Sequence, residues 1–119
     1  VSFSERYLDH FSHPRGVGEI ANPTCSCEVQ HEGGGCFDRV KLTARLDGDR
    51  VAEVKFRARA CSGTIAACSA MVEVVTGMEV SRAKVLTSED LTEFLGGIPE
   101  KKQHSVELAA RAIVECLAS

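Results

Sequence analysis

An α+β fold, a three-stranded antiparallel sheet with helices packed on one face, is what the order of periodicities predicts for this 119-residue chain. Three observations carry it. Apolar and polar residues alternate from Val40 to Ala58, "LDGDRV" interrupts that alternation with turn residues, and apolar residues recur at helical spacing on both sides. No internal repeat or low-complexity linker divides the chain, so residues 1–119 are expected to form one domain. A chain of this length buries roughly two thirds of its unfolded surface.

The first helix is predicted over residues 2 to 12, where Ser2 and Glu5 have capping-box spacing and Phe3, Tyr7, Leu8 and Phe11 repeat helically. "HPRGVG" ends it, because Pro14 disfavours helix in the residue before it and two glycines follow. A strand is expected from Cys25 to His31. In a second strand, Val40, Leu42, Ala44 and Leu46 point one way and Lys41, Thr43 and Arg45 the other. An Asp-Gly turn leads to a third strand, with Val54, Phe56 and Ala58 inward and Lys55, Arg57 and Arg59 outward. That basic row is a solvated sheet face or a docking surface for an acidic partner.

After Cys61 the spacing becomes helical, with Ile65, Ala66, Ser69, Val72 and Thr76 on one stripe and Gly77 as the stop. Short helices are expected near 79–84 and 88–95, the second opened by Thr87 and Asp90 in capping-box spacing. A last helix over 104–117 turns Val106, Ala109, Ala110, Ile113 and Leu117 inward. His10 and His13 read as surface residues at a helix end.

Composition narrows the function. With 44% hydrophobic and 26% charged residues, the chain has the make-up of a soluble globular protein. A net charge of -3, one Tyr and no Trp argue against a nucleic-acid groove. "TIAACSAMVEVV" is interrupted by Glu73 and is too short to span a bilayer. "VSFSERYLDH" lacks the apolar core of a signal peptide, so the expected location is cytoplasmic. In a reducing compartment the six cysteines read as metal ligands or reactive thiols before they read as a disulfide framework. Neither a Ser-His-Asp constellation nor a P-loop is present, so no hydrolase or NTPase is indicated.

The chemistry gathers around "GGGCFDRVKL". Cys36 and Asp38 precede one strand of the hairpin, and Cys61 follows the other immediately before a helix. Folding the hairpin makes these two ends neighbours. A helix N-terminus favours thiolate over thiol at Cys61. If the start of the last helix faces the same loops, His104 completes a Cys, Asp, Cys, His set suited to zinc or to sulfur-bound iron. The competing reading of His104 is a solvated or capping residue. Cys68 and Cys116 read as small core residues, Cys116 being roughly 16 Å along its helix from Ser105. Cys25 and Cys27 share a strand face and read as a packing pair, unless a loop swing carries one to the metal.

Taken in order, "YLDHFSHPRGVG", "GCFDRVKL", "ARACSGTIAACSAMVEVVTGM" and "EDLTEFLGGIPEKKQHSVELAARAIVECL" resemble the IscU/NifU-type iron-sulfur cluster assembly scaffolds over nearly the whole chain. The resemblance implies a scaffold and carrier without catalysis of its own. Such a scaffold builds a transient [2Fe-2S] cluster from iron and from sulfur supplied by a cysteine desulfurase, then hands it to apo iron-sulfur proteins. An iron donor would be a further partner, with no nucleic acid or membrane involved. Cys36 and Asp38 match the family's first Cys-x-Asp loop, Cys61 its second cysteine, and Lys102 and His104 its final motif. The sequence departs from the family at three places. Ser105 stands where a third cysteine is usual, Phe37 replaces a glycine, and "PEKK" replaces the proline-proline-valine-lysine element read by a dedicated Hsp70.

Three functions are consistent with these residues. The first is a cluster scaffold; the second is a sulfur acceptor holding Zn2+ through Cys36, Asp38, Cys61 and His104. The third is a binding module that has lost metal chemistry with the third cysteine.

Overall fold

The structure is a computed structural model that describes residues 4–31, 38–98 and 100–118. The elements run α1 (Glu5–Ser12), β1 (Cys25–His31), β2 (Asp38–Asp47), β3 (Arg50–Arg59), α2 (Ser62–Val75), α3 (Val80–Ala83), α4 (Ser88–Leu95) and α5 (Gln103–Ala118). A single 3-10 turn, Glu100–Lys102, leads into α5. The three strands form one antiparallel sheet in the order β1-β2-β3. The α+β architecture and all three strands are as the alternation predicts.

Cys25, Cys27 and Val29 of β1 pair with Ala44, Leu42 and Val40 of β2, which pair in turn with Val54, Phe56 and Ala58 of β3. One sheet face is therefore apolar along these pairs and becomes polar only at its end, where His31 pairs with Asp38. Leu42, Phe56 and Met71 are essentially inaccessible, and burying each contributes about 2 to 3 kcal/mol. The hairpin tip is Gly48–Asp49, because Asp47 already pairs with Arg50. Gly48, at φ +61°, takes the first tip position, one residue later than an Asp47-Gly48 turn would place it.

Expectations for α1, the outer sheet face and α2 are corrected. The N-cap of α1 is Ser4, whose Oγ accepts the Tyr7 N–H at 3.0 Å, and not Ser2, which lies with Phe3 outside the described residues. Leu8 and Phe11 are exposed, while Tyr7 and His10 form the buried side of α1. Thr43 is buried on the outer sheet face beneath Ile20, whose N–H it accepts at 3.1 Å. Helix α2 is buried almost all round where one apolar stripe was expected. Gly63, Ala66, Ala67, Ala70 and Ser69 keep it slim enough to run through the middle of the molecule, with α1, α4, α5 and β3 around it.

The capping box of α4 is present as predicted, with Thr87 Oγ1 accepting the Asp90 N–H and Asp90 Oδ2 accepting the Thr87 N–H. Its other end is held by α1. Ser4 Oγ donates to the Leu95 carbonyl, and Arg6 donates to the Phe94 carbonyl at 2.7 Å while lying over the Phe94 ring. Lys41 and Arg57 share Glu19, and Lys55 lies 3.9 Å from Glu53, so the outward basic row is partly neutralised. Among the described residues, no helix is long and apolar enough to cross a membrane.

His10, expected on the surface, is 1% exposed, whereas His13 is exposed as predicted. Its Nδ1 lies 2.6 Å from Ser69 Oγ, which also accepts the Arg15 N–H. Burial holds the imidazole below its ordinary pKa, and Arg15 and Arg6 add to this against the opposing Glu73 and Asp9. The neutral ring takes the Ser69 proton at Nδ1 and carries its own on Nε2, facing Glu73 at 3.8 Å. A histidine with a depressed folded pKa contributes stability above its unfolded pKa, and that contribution is lost as pH falls toward the folded value. Thermal melts are therefore expected to show Tm falling between pH 6.5 and 5 in the native chain, with a shallower fall in His10→Asn.

Candidate metal centre

The site is built at one end of the hairpin. Arg39 pairs with Arg59, so the first residues of β2 and the residues leaving β3 are held side by side by the ladder. Asp38 lies one residue before that pair and Cys61 two residues after it, where β3 gives way to α2. Cys61 is the N-cap position of α2, with extended backbone at φ -70° and ψ 164°. Its N–H donates to Asp38 Oδ1 at 3.1 Å, which ties the strand start to the helix start.

Asp38 is 3% exposed, and a buried carboxylate needs a partner for each oxygen. Oδ2 accepts the Thr64 hydroxyl at 2.5 Å and lies 3.2 Å from His104 Nε2 and 3.6 Å from Cys61 Sγ. Burial alone would raise the Asp38 pKa. The Thr64 hydroxyl, the Cys61 N–H and thiol, and His104 outweigh it and hold the carboxyl below its ordinary range.

His104 comes from the first turn of α5, and its Nε2 is 3.8 Å from Cys61 Sγ. The ring of His31, at the end of β1, stacks on it with centroids 4.8 Å apart. Burial works against the Cys61 thiolate, but hydrogen bonds led by the Thr64 N–H, with His104 among them, bring the thiol down to about 7. One ligand atom each from Asp38, Cys61 and His104 lies within 4.8 Å of the others. Carboxylate, thiolate and imidazole converging in this way are a donor set for zinc or iron.

Of the four residues that the sequence places at one site, Asp38, Cys61 and His104 lie together. Cys36, the fourth, lies with Phe37 outside the described residues. Ser105 is fully buried, with its Oγ 3.0 Å from Thr64 Oγ1 and 3.8 Å from Cys61 Sγ. Thr64 has one hydroxyl proton, which goes to Asp38, so Ser105 donates to Thr64 and the two hydroxyls form a chain behind the carboxylate. Lys102 is half-buried, its side chain running over Gly63, where a Cβ would lie 3.0 Å from both Lys102 Cδ and Ser105 Oγ. A side chain at position 63 would have to push Lys102 or Ser105 back by a few tenths of an ångström, so glycine suits this close start of α5.

Thr64 and His31 are the two residues the sequence did not single out. Thr64 follows Cys61 by three, the spacing at which a helix returns to the same face. His31 carries no such signal, since its place depends on the β1–β2 register opposite Asp38. Cys25 and Cys27 do not reach the site. Cys27 donates to the Ala112 carbonyl at 3.1 Å, and Cys25 meets Cys116, all on the α5 side of the sheet. Cys68 is fully buried, as expected of a core residue, and burial raises its thiol to about 12.

The chain matches the family model of the NifU-like N terminal domain over residues 2–119. It is 35% identical to the bifunctional protein NifU/MnmA of Rubrobacter xylanophilus across 93% of its own length, and spans 23% of that protein. It is 33% identical to the iron-sulfur cluster assembly scaffold protein IscU of Aquifex aeolicus, covering 93% of the chain and 71% of the relative. Its fold resembles the crystal structure of a candidate iron-sulfur cluster assembly scaffold for the SUF system of Fervidobacterium islandicum AW-1. That likeness has a TM-score of 0.76 at 20% identity, over 97% of this chain and 96% of the other. A family model matched from end to end, on the fold and donor set described above, identifies the chain as a member of the NifU-like N-terminal domain family.

Proposed function

We propose that this chain is a scaffold on which a transient [2Fe-2S] cluster is assembled, with sulfur from a cysteine desulfurase, and from which it passes to apo-proteins. The observation that carries this reading is the convergence of Asp38, Cys61 and His104 at the junction of β2, α2 and α5. Cys36 is the fourth proposed ligand. The relatives described as cluster assembly scaffolds support the cargo.

Each residue has a distinct part in the proposal. Cys61, a thiol near neutrality at a helix start, supplies a thiolate at little cost in proton release. Asp38 supplies a hard oxygen among softer donors, which weakens the hold on the cargo and suits release. Thr64 fixes the carboxylate, as partners of metal ligands do. His104 supplies the imidazole, with its ring plane set by His31. The reading treats the chain as one scaffold domain acting with a sulfur donor, an iron donor and cluster recipients.

A second reading, a zinc-bound sulfur acceptor, is favoured by Ser105. A hydroxyl in place of the third thiol leaves Cys36, Asp38, Cys61 and His104, the number of donors one tetrahedral Zn2+ takes. Displacement of one thiolate would free it to receive sulfur.

Anaerobic reconstitution with ferrous iron and sulfide tests the scaffold. The native chain is expected to develop visible sulfur-to-iron absorption with about two irons per chain, and Cys61→Ala to lose it. A native chain that stays colourless but carries one zinc when purified without added metal would replace the first reading by the second. Thr64→Val is expected to weaken metal binding about 10- to 100-fold in competition with a chromophoric chelator. In the metal-free chain, the rate of Cys61 alkylation should rise with pH and reach half its maximum near pH 7, as peptide mapping would read.

A further inference from the structure

Away from the candidate metal centre, three cysteines meet on the seam between β1 and α5. Cys25 and Cys27 stand on the inward face of β1, two residues apart and half-buried. Cys116, in the last turns of α5, is fully buried. Its thiol donates to Cys25 with the sulfurs 3.3 Å apart. Cys27 also hydrogen-bonds Cys116, which holds the Cys27 thiol below its ordinary range, but Cys27 is tied to the Ala112 carbonyl at 3.1 Å.

We propose that Cys25 and Cys116 are an oxidation site, closing to a disulfide that staples β1 to α5 when the protein meets hydrogen peroxide. A disulfide needs the sulfurs at about 2.05 Å, so they have to approach by about 1.2 Å from where they stand. Rotation about a half-exposed cysteine side chain on an outer strand supplies such a movement. Cys25 is half-buried and not held by a backbone carbonyl as Cys27 is, so in the proposal it is the thiol that meets peroxide, and Cys116 is the buried thiol already against it.

The chemistry balances without the metal centre. Attack of the Cys25 sulfur on peroxide breaks the O–O bond and gives a sulfenic acid and one water. The Cys116 sulfur then displaces the sulfenic hydroxyl, which leaves with the Cys116 proton as a second water. One S–S bond forms, two S–H bonds break, and the two electrons removed from the sulfurs reduce the peroxide.

The staple would act on the seam that positions His104. β1 and α5 run in opposite senses along it, with His31 against His104 at one end, Arg111 on the Gln30 carbonyl between, and Cys25 against Cys116 at the other. Oxidation would fix the far end of the helix whose first turn carries His104.

The test uses the full chain, reduced and desalted, then treated with hydrogen peroxide and digested without reductant. The expected result is a linked peptide pair joining Cys25 to Cys116, removed by dithiothreitol and retained in a Cys61→Ser background. The link closes residues 91 positions apart, so the oxidised chain should melt about 10 °C or more above the reduced one. Cys25→Ser, at a half-exposed position, should abolish both the link and the Tm rise. This holds the proposal to account even if Cys116→Ala does not fold. Peptides linking Cys116 to Cys27 instead, links confined to Cys36 and Cys61, or no link at all would overturn it.

Discussion

A carboxylate buried at the end of a sheet has to be compensated from every direction, and Asp38 is compensated by residues from two helices. The Cys61 N–H and the Thr64 hydroxyl come from the start of α2, and His104 from the start of α5. Satisfying one buried charge therefore docks two helix starts against the first residue of β2. The ladder between β2 and β3 makes this possible, because Arg39 opposite Arg59 leaves Asp38 and Cys61 no choice but to be neighbours. Stability and chemistry are joined at this point, since the atoms that hold Asp38 in place are those that shape the donor set.

The rest of the core serves that junction. Helix α2 leaves Cys61 and passes through the middle of the protein, with small side chains on nearly every side. Its slimness lets α5 begin over Gly63, with Lys102 and Ser105 in contact range. Ser105 completes a line of hydroxyls, Ser105 to Thr64, that ends on the Asp38 carboxylate behind the candidate donor atoms. A hydroxyl there keeps the position polar and hydrogen-bonded, in contrast to the thiolate that a cysteine would present.

The strands were legible because a half-buried sheet writes itself as alternation, and β1, β2 and β3 fall where Val40, Leu42, Phe56 and their neighbours indicate. The α4 capping box was legible for a similar reason, since Thr87 and Asp90 are local partners. Of the site, Asp38, Cys61 and His104 could be grouped from the hairpin and the family motifs. What could not be read depended on distant neighbours. His10 is buried because Ser69, Arg15 and Phe94 close over it, and none of these is near it in the chain by helical spacing. Thr43 alternates like a solvent-facing residue and is covered only because the segment carrying Ile20 crosses the outer face. The all-round burial of α2 follows from four neighbouring elements, and a sequence window on α2 alone shows only that many of its residues are small.

The clasp between α1 and α4 has a consequence for how the chain assembles. Ser4 and Arg6 find their carbonyl partners at Leu95 and Phe94, about ninety residues later. The hairpin needs only its own short turn and can form early, but the first helix packs on α2 and completes its hydrogen bonds only once α4 exists. During synthesis on the ribosome α1 emerges well before α2 and α4, so its buried side waits for the first and its carbonyl partners for the second.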